Sequence, residues 1–224
     1  MDSIVKNLQR HEEWGSHRPS ELTSDHPLYH QLMYQEIVPN FLSLRETQRI
    51  VQELITREDE VMSIPSHETG YENLTGQHQV FNWLSVPSIS RLGIPNKLFQ
   101  LPLYEHWEYM YIQCWGNILR QGQNLPLHCH RGLEDRLHNN WNNTQYAMNV
   151  FLSGHTDTGT TIEGTKHDNE IGQLVILGED VEHKVTTNFH QEPRISLAMD
   201  VFNADHIDME DNTERYLKYY NPFI

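Results

Sequence analysis

The chain has 224 residues, enough for one domain with a real core, and its 37% hydrophobic content with five Trp and ten Tyr excludes a disordered polymer. A formal charge of −15 argues against a phosphate-binding surface, which needs clustered Lys and Arg, so a nucleic-acid partner is disfavoured. The opening MDSIVKNLQR lacks an apolar signal core, no apolar run is long enough for a bilayer, and the two cysteines (Cys114, Cys129) make no secreted disulfide pattern, so a reduced, cytoplasmic setting is expected.

Residues 1–28 read as a polar lead-in, and 29–224 as a single domain. A strand is expected over 29–38, stopped by Pro39-Asn40. Ser43 followed by Glu46 is a capping box, and Leu44, Ile50, Val51, Leu54 and Ile55 supply an apolar stripe for a helix ending near Arg57. Scattered Gly and Pro over 59–102 predict a loop-rich, structured insertion able to cover a site mouth. From Glu105 the pattern becomes β, with strands expected over 107–119, 125–130, 145–152, 172–177, 183–187 and 194–202, and a polar, Asn-rich loop over 131–144. Short strands at this spacing without intervening helices predict a mainly β fold with flanking helices, a closed or double-sheet structure of jelly-roll type.

The strand at 194–202 alternates two chemistries. Arg194, Ser196, Ala198 and Asp200 share one face, while Ile195, Leu197, Met199 and Val201 share the other. Taken alone, this suits a half-exposed strand whose polar face meets water. Its neighbours suggest another use. His183 opens the preceding strand, ten residues separate it from Arg194, and His128 and His130 lie two apart on one strand face. Imidazoles from separate strands can hold Fe(II), and a guanidinium offers a two-pronged fork to the far carboxylate of 2-oxoglutarate, whose keto-acid end would chelate the iron. Ser196 can add a hydrogen bond to that carboxylate, and Tyr146 and Asn149 are further candidates to contact it. Cys129 points away from the two histidines as a small apolar residue, and Trp115 and Trp141 suit either packing or the substrate entrance.

These residues carry a family resemblance. The chain resembles the Fe(II)/2-oxoglutarate-dependent oxygenases, whose pattern His-x-Asp/Glu … His-x10-Arg-x-Ser is matched by His128-Cys129-His130, His183 and Arg194-Ile195-Ser196. The segment EIVPNFLSLRETQRIVQEL also resembles the opening strand and helix of the prolyl-hydroxylase-like branch, so the likeness covers roughly 29–58 and 105–203. It implies a double-stranded β-helix (a cupin-like jelly roll), Fe(II) with 2-oxoglutarate and O2, and hydroxylation of an amino-acid, peptide or other small polar substrate. It also implies His128 and His183 as metal ligands, with His130 standing where the family has Asp or Glu.

That departure leaves three arrangements open. His130 can be a third neutral ligand, water can take its place, or the motif can shift so that His138 replaces His128. Asp157 and Glu163 are carboxylates able to complete the set from another direction. Two other readings stand beside the oxygenase. A cupin using three histidines without 2-oxoglutarate is matched by Gly122, His128, His130 and Glu134, then by Gly172 to His183, but it leaves Arg194 and Ser196 without a role. The third reading is a non-catalytic β-sandwich binding module with incidental histidines. No feature of the chain selects an oligomeric state.

Overall fold

Strand β1 (Gln35–Val38) ends in a turn where Asn40 takes φ 54°, a left-handed conformation that Asn tolerates. Helix α1 (Leu44–Thr56) follows, with the expected capping box in place. Ser43 Oγ accepts from Glu46 N–H, and Glu46 Oε2 accepts from Ser43 N–H at 2.8 Å. Ser43→Ala should therefore lower stability by about 1 kcal/mol in a denaturant titration, since it removes one cap bond and frees its reciprocal partner. The apolar stripe is narrower than the sequence suggests. Thr47, Ile50 and Leu54 are buried, whereas Leu44 and Ile55 are 59% and 50% exposed. The five apolar positions fan over roughly 140° of the helix circumference, and only the part centred on Ile50 and Leu54 meets the protein. This computed structural model describes residues 30, 33–64, 81–130, 144–203 and 216–224.

The described parts of 59–102 are mostly short helices, where the sequence suggested loops: α2 (Glu58–Met62), a 3-10 turn (Trp83–Ser85), α3 (Pro87–Ser90) and α4 (Ile94–Phe99). The prolines misled because they sit at helix starts, where a missing N–H costs nothing, and Gly93 precedes α4 at φ 64°. Val61, Trp83, Leu84, Ile89, Leu98 and Phe99 belong to one core with Ile50 and Leu54. The described part of this region is thus a layer on the back of the sheet and does not roof a site.

Ten strands are present among the described residues, and every pairing between them is antiparallel. They are β1, β2 (Tyr109–Leu119), β3 (Leu125–His128), β4 (Thr144–Ser153), β5 (Thr160–Ile162), β6 (Thr165–His167), β7 (Leu174–Gly178), β8 (His183–Val185), β9 (Arg194–Asn203) and β10 (Leu217–Tyr220). A six-stranded sheet runs β1-β7-β4-β9-β2-β10 and a four-stranded sheet runs β3-β8-β5-β6, which is the double-stranded β-helix expected. Strands β5, β6 and β10 escape the sequence pattern because three or four residues are too few to show a periodicity. The hairpin β5–β6 does have a local device, since Glu163 and Gly164 both take positive φ (46° and 79°).

Alternation divides the large sheet into two faces. Met110, Ile112, Cys114, Met148, Val150, Ile195, Leu197, Met199 and Val201 pack under the helices. Ala147, Val175 and Leu177 face the other way and meet Ile162 and Val181 between the sheets. That inter-sheet face also carries Trp115, Asn117, Asn149, Phe151, Arg194, Ser196 and Asp200. Neither cysteine is in a disulfide, and among the described residues no helix is long and apolar enough to cross a membrane.

Candidate metal centre

Three imidazoles converge between the sheets. His128 closes β3 and pairs across to His183 at the start of β8, and His130 lies two residues beyond His128. Strand β3 is an edge strand, so Pro126 within it forfeits no ladder bond, and the register breaks between Leu125 and His128. One ring nitrogen from each of His128, His130 and His183 lies within 4.8 Å of the others. The His128 and His183 ring centroids are 4.3 Å apart, and the His130 and His183 rings are nearly parallel at 5.2 Å.

The other side of each ring explains why they can bind an ion. His128 Nδ1 lies 2.8 Å from Pro126 O, His183 Nδ1 lies 3.0 Å from Val181 O, and His130 Nδ1 lies 2.7 Å from Asp200 Oδ1. An Nδ1 engaged by an acceptor carries the proton, which leaves the Nε2 lone pair as the donor atom toward a metal. Burial and the neighbouring His128 and His130 hold His183 well below the usual imidazole range, so it is neutral and ready to ligate. His130 behaves differently. Burial alone would lower it, but the Asp200 carboxylate outweighs that and raises it.

Asp200 is the residue that sequence reading listed on the correct face without giving it a role. It is buried on β9 and supports His130 from behind, the carboxylate–histidine arrangement that orients a ligand and raises its basicity. Asp200→Asn should weaken divalent-metal binding roughly 10- to 100-fold in equilibrium dialysis while leaving the melting curve two-state. The pair also has a pH signature in EDTA-treated protein. Because the folded-state pKa of His130 lies above its unfolded value, the pair stabilises the fold fully below about pH 6.5 and that contribution fades as pH rises through the elevated value. The fading should be absent in Asp200→Asn.

The proposed anchor for a dicarboxylate lies along the same face of β9. Arg194 is completely buried, which overturns the half-exposed reading of that strand. Its Nε donates to Thr158 O at 3.1 Å, Nη1 to Ser196 Oγ at 3.1 Å and Nη2 to Thr160 Oγ1 at 3.5 Å, and its guanidinium carbon lies 5.5 Å from the Phe151 ring centre. All three acceptors are neutral, and among the described residues no carboxylate pairs with it. Burial pulls its pKa down to about 10, which still leaves it charged at neutral pH. Ser196 Oγ accepts from Arg194, from Asn149 Nδ2 at 3.1 Å and from Asn117 Nδ2 at 3.5 Å. Three donors crowd one hydroxyl oxygen, so its own hydrogen is left to point at an incoming acceptor. The patch offers guanidinium and hydroxyl donors and one net positive charge, the complement of a carboxylate.

The structure brings together His128, His130 and His183 in one group, and Arg194, Ser196 and Asn149 in another on the same inter-sheet face. Tyr146 is not brought to either. It lies on the opposite face of β4, packed edge-on against Tyr34 and Tyr104, because residues 146 and 149 are an odd number apart and cannot share a strand face. Trp115 is on the inner face, its ring 6.2 Å from that of His130. Asp157 and Glu163 are not in the histidine group: Asp157 contacts His190, and Glu163 accepts from Glu182 N–H. His138, Glu134 and Trp141 lie outside the described residues. Sequence reasoning missed Asn117, Thr158, Thr160 and Gln145. Gln145, also on the inner face of β4, is 5% exposed, and its Nε2 has no hydrogen-bond partner among the described residues.

No family model matches this chain, and no curated protein matches it by sequence. Solved structures do match, and they show its fold. HygX from Streptomyces hygroscopicus, solved with nickel and 2-oxoglutarate bound, superposes with a TM-score of 0.54 at 12% identity, covering 80% of this chain and 86% of that one. The non-heme alpha-ketoglutarate-dependent epimerase SnoN from nogalamycin biosynthesis gives a TM-score of 0.56 at 11% identity, over 98% of this chain and 87% of its own. A Pseudomonas putida prolyl-4-hydroxylase gives 0.50 at 16% identity, over 78% and 94%. The chain therefore has the double-stranded β-helix fold that these 2-oxoglutarate enzymes share.

Proposed function

We propose that this chain is a non-haem Fe(II)- and 2-oxoglutarate-dependent oxygenase, a hydroxylase of an amino-acid, peptide or other small polar substrate. The observation that carries the proposal is Arg194: a fully buried cation whose acceptors among the described residues are all neutral, on the same inter-sheet face as three converging imidazoles. A buried charge without a counter-ion is costly, so its retention calls for an anion to complete the site. A cupin using the histidines alone offers no such anion.

In this reading His128, His130 and His183 would hold Fe(II), and Arg194 and Ser196, supported by Asn149 and Asn117, would grip the far carboxylate of 2-oxoglutarate. When bound, the iron and its co-substrate supply oxidation by O2, with 2-oxoglutarate converted to succinate and CO2. The protein supplies position and dryness. Asp200 orients His130, Thr158 O and Thr160 Oγ1 aim the guanidinium, and Phe151 covers its face. Gln145 and Trp115 suit a substrate with a polar acceptor and a flat apolar part. The neutral three-histidine set leaves the iron more cationic than a carboxylate-bearing set would, which suits an anionic co-substrate. The low cysteine use and acidic charge fit a cytoplasmic protein acting on small molecules or peptides, away from membranes and nucleic acids.

Anaerobic addition of Fe(II) and then 2-oxoglutarate should produce a weak visible charge-transfer band that needs both. Absence of the band together with no calorimetric binding of 2-oxoglutarate would overturn the oxygenase reading and leave the cupin one.

A further inference from the structure

A second group of ligand-type side chains sits away from the inter-sheet site, on the protein surface. His155 and Asp157 belong to the loop between β4 and β5, and His190 to the loop between β8 and β9. One donor atom from each lies within 4.8 Å of the others. His190 Nε2 is 2.9 and 3.2 Å from the two Asp157 oxygens, and the His155 and His190 rings stack, parallel within 10° at 3.6 Å, so one ring must turn out of the stack for both in-plane lone pairs to meet one ion. The His190–Asp157 contact is a hydrogen bond here, and because two donors on one ion at about 2.1 Å each stand roughly 3.0–3.4 Å apart, an ion would replace its proton with little movement of that pair. Glu192 adds a second carboxylate, with Oε2 3.6 Å from His155 Nε2.

The loops are built to present these groups. Buried Asn188 donates to Leu119 O at 3.0 Å and Glu192 O at 2.8 Å, and its Oδ1 accepts from His190 N–H at 3.0 Å. On the other loop Gly154, at φ 121°, lies so close to Arg194 that a Cβ there would be 3.0 Å from the Arg194 Cα. The next residues lead to Thr158, whose carbonyl receives the Arg194 Nε–H.

We propose that His155, Asp157 and His190, with Glu192 as a fourth donor, form a second divalent-metal site that clamps the β4–β5 loop to the β8–β9 loop. Two imidazoles and two carboxylates sum to −2 and select a borderline transition ion such as Zn(II) over Mg(II) or Ca(II). The site is independent of the oxygenase reading. Its consequence for Arg194, bracing the loop that holds the guanidinium, is the part that rests on it.

The test uses full-length His128→Ala/His183→Ala protein, in which the inter-sheet group is dismantled, with Zn(II) as the probe. One equivalent of Zn(II) should bind in equilibrium dialysis, and adding His190→Ala should weaken it at least about tenfold with the melting curve retained. Zn(II) should also slow amide exchange in both the 154–158 and 188–192 segments. No Zn(II) binding in the double variant, binding unaffected by His190→Ala, or protection confined to one loop would each overturn the clamp.

Discussion

Arg194→Ala should weaken 2-oxoglutarate binding by about 2–5 kcal/mol, or roughly thirty- to several-thousand-fold, while leaving metal binding within about twofold. The size follows from the environment. The guanidinium is fully buried, so a carboxylate meeting it is shielded from water, and truncation would leave that carboxylate with Ser196 and the two asparagines alone. The contrast with metal binding is geometric, because the histidines take their support from Pro126, Val181 and Asp200, none of which touches Arg194. A second variant separates anchoring from folding. Arg194→Met keeps most of the volume and removes a buried charge that has no counter-ion among the described residues, so without 2-oxoglutarate its melting temperature should equal or exceed that of the parent. The parent should gain stability on adding 2-oxoglutarate and the Met variant should not. If instead Arg194→Met melts much lower under both conditions, Arg194 is a structural residue and the anchor assignment fails.

Removing His183 should abolish stoichiometric iron and, with it, all 2-oxoglutarate turnover. Losing an orienting partner typically costs 10- to 100-fold in affinity, and losing the ligand itself must exceed that. Alanine at 183 keeps the strand pairing opposite His128, so the fold should survive, as circular dichroism can check. The sharper comparison is at His130. Placing at this position the acid carried by the oxygenases that the sequence resembles, with His130→Asp, would look like a repair, yet the structure predicts a loss. The new carboxylate would face Asp200, now 2.7 Å from His130 Nδ1, and two buried acids at such range hold a proton between them and bind metal poorly. His130→Asp/Asp200→Asn should recover part of the affinity. Metal content after dialysis reads all three variants, and a His130→Asp protein that binds iron better than the parent would show that Asp200 does not support His130.

Much of this architecture was legible before the fold was known. The capping box at Ser43 and Glu46 is a local device, complete within four residues, and it folds as read. The faces of β9 were equally legible, because alternation is a property of the strand backbone itself. The same rule shows why Tyr146 could not join Asn149. Where periodicity was too short, in β5, β6 and β10, or where prolines marked helix starts in 87–99, the pattern gave loops in place of elements.

By itself, then, the sequence determined the spacing of His128, His130, His183, Arg194 and Ser196, and which of their neighbours share a strand face. Only the tertiary structure decided that the polar face of β9 is buried rather than wet, that Asp200 backs His130, and that Asp157 joins His190 instead of the histidine triad. The physical reason is the range of the interactions. Alternation and capping act over a few residues and leave their mark in the local pattern. A carboxylate 70 positions from its imidazole is brought to 2.7 Å only when two sheets close on each other, and closure depends on the whole set of pairings.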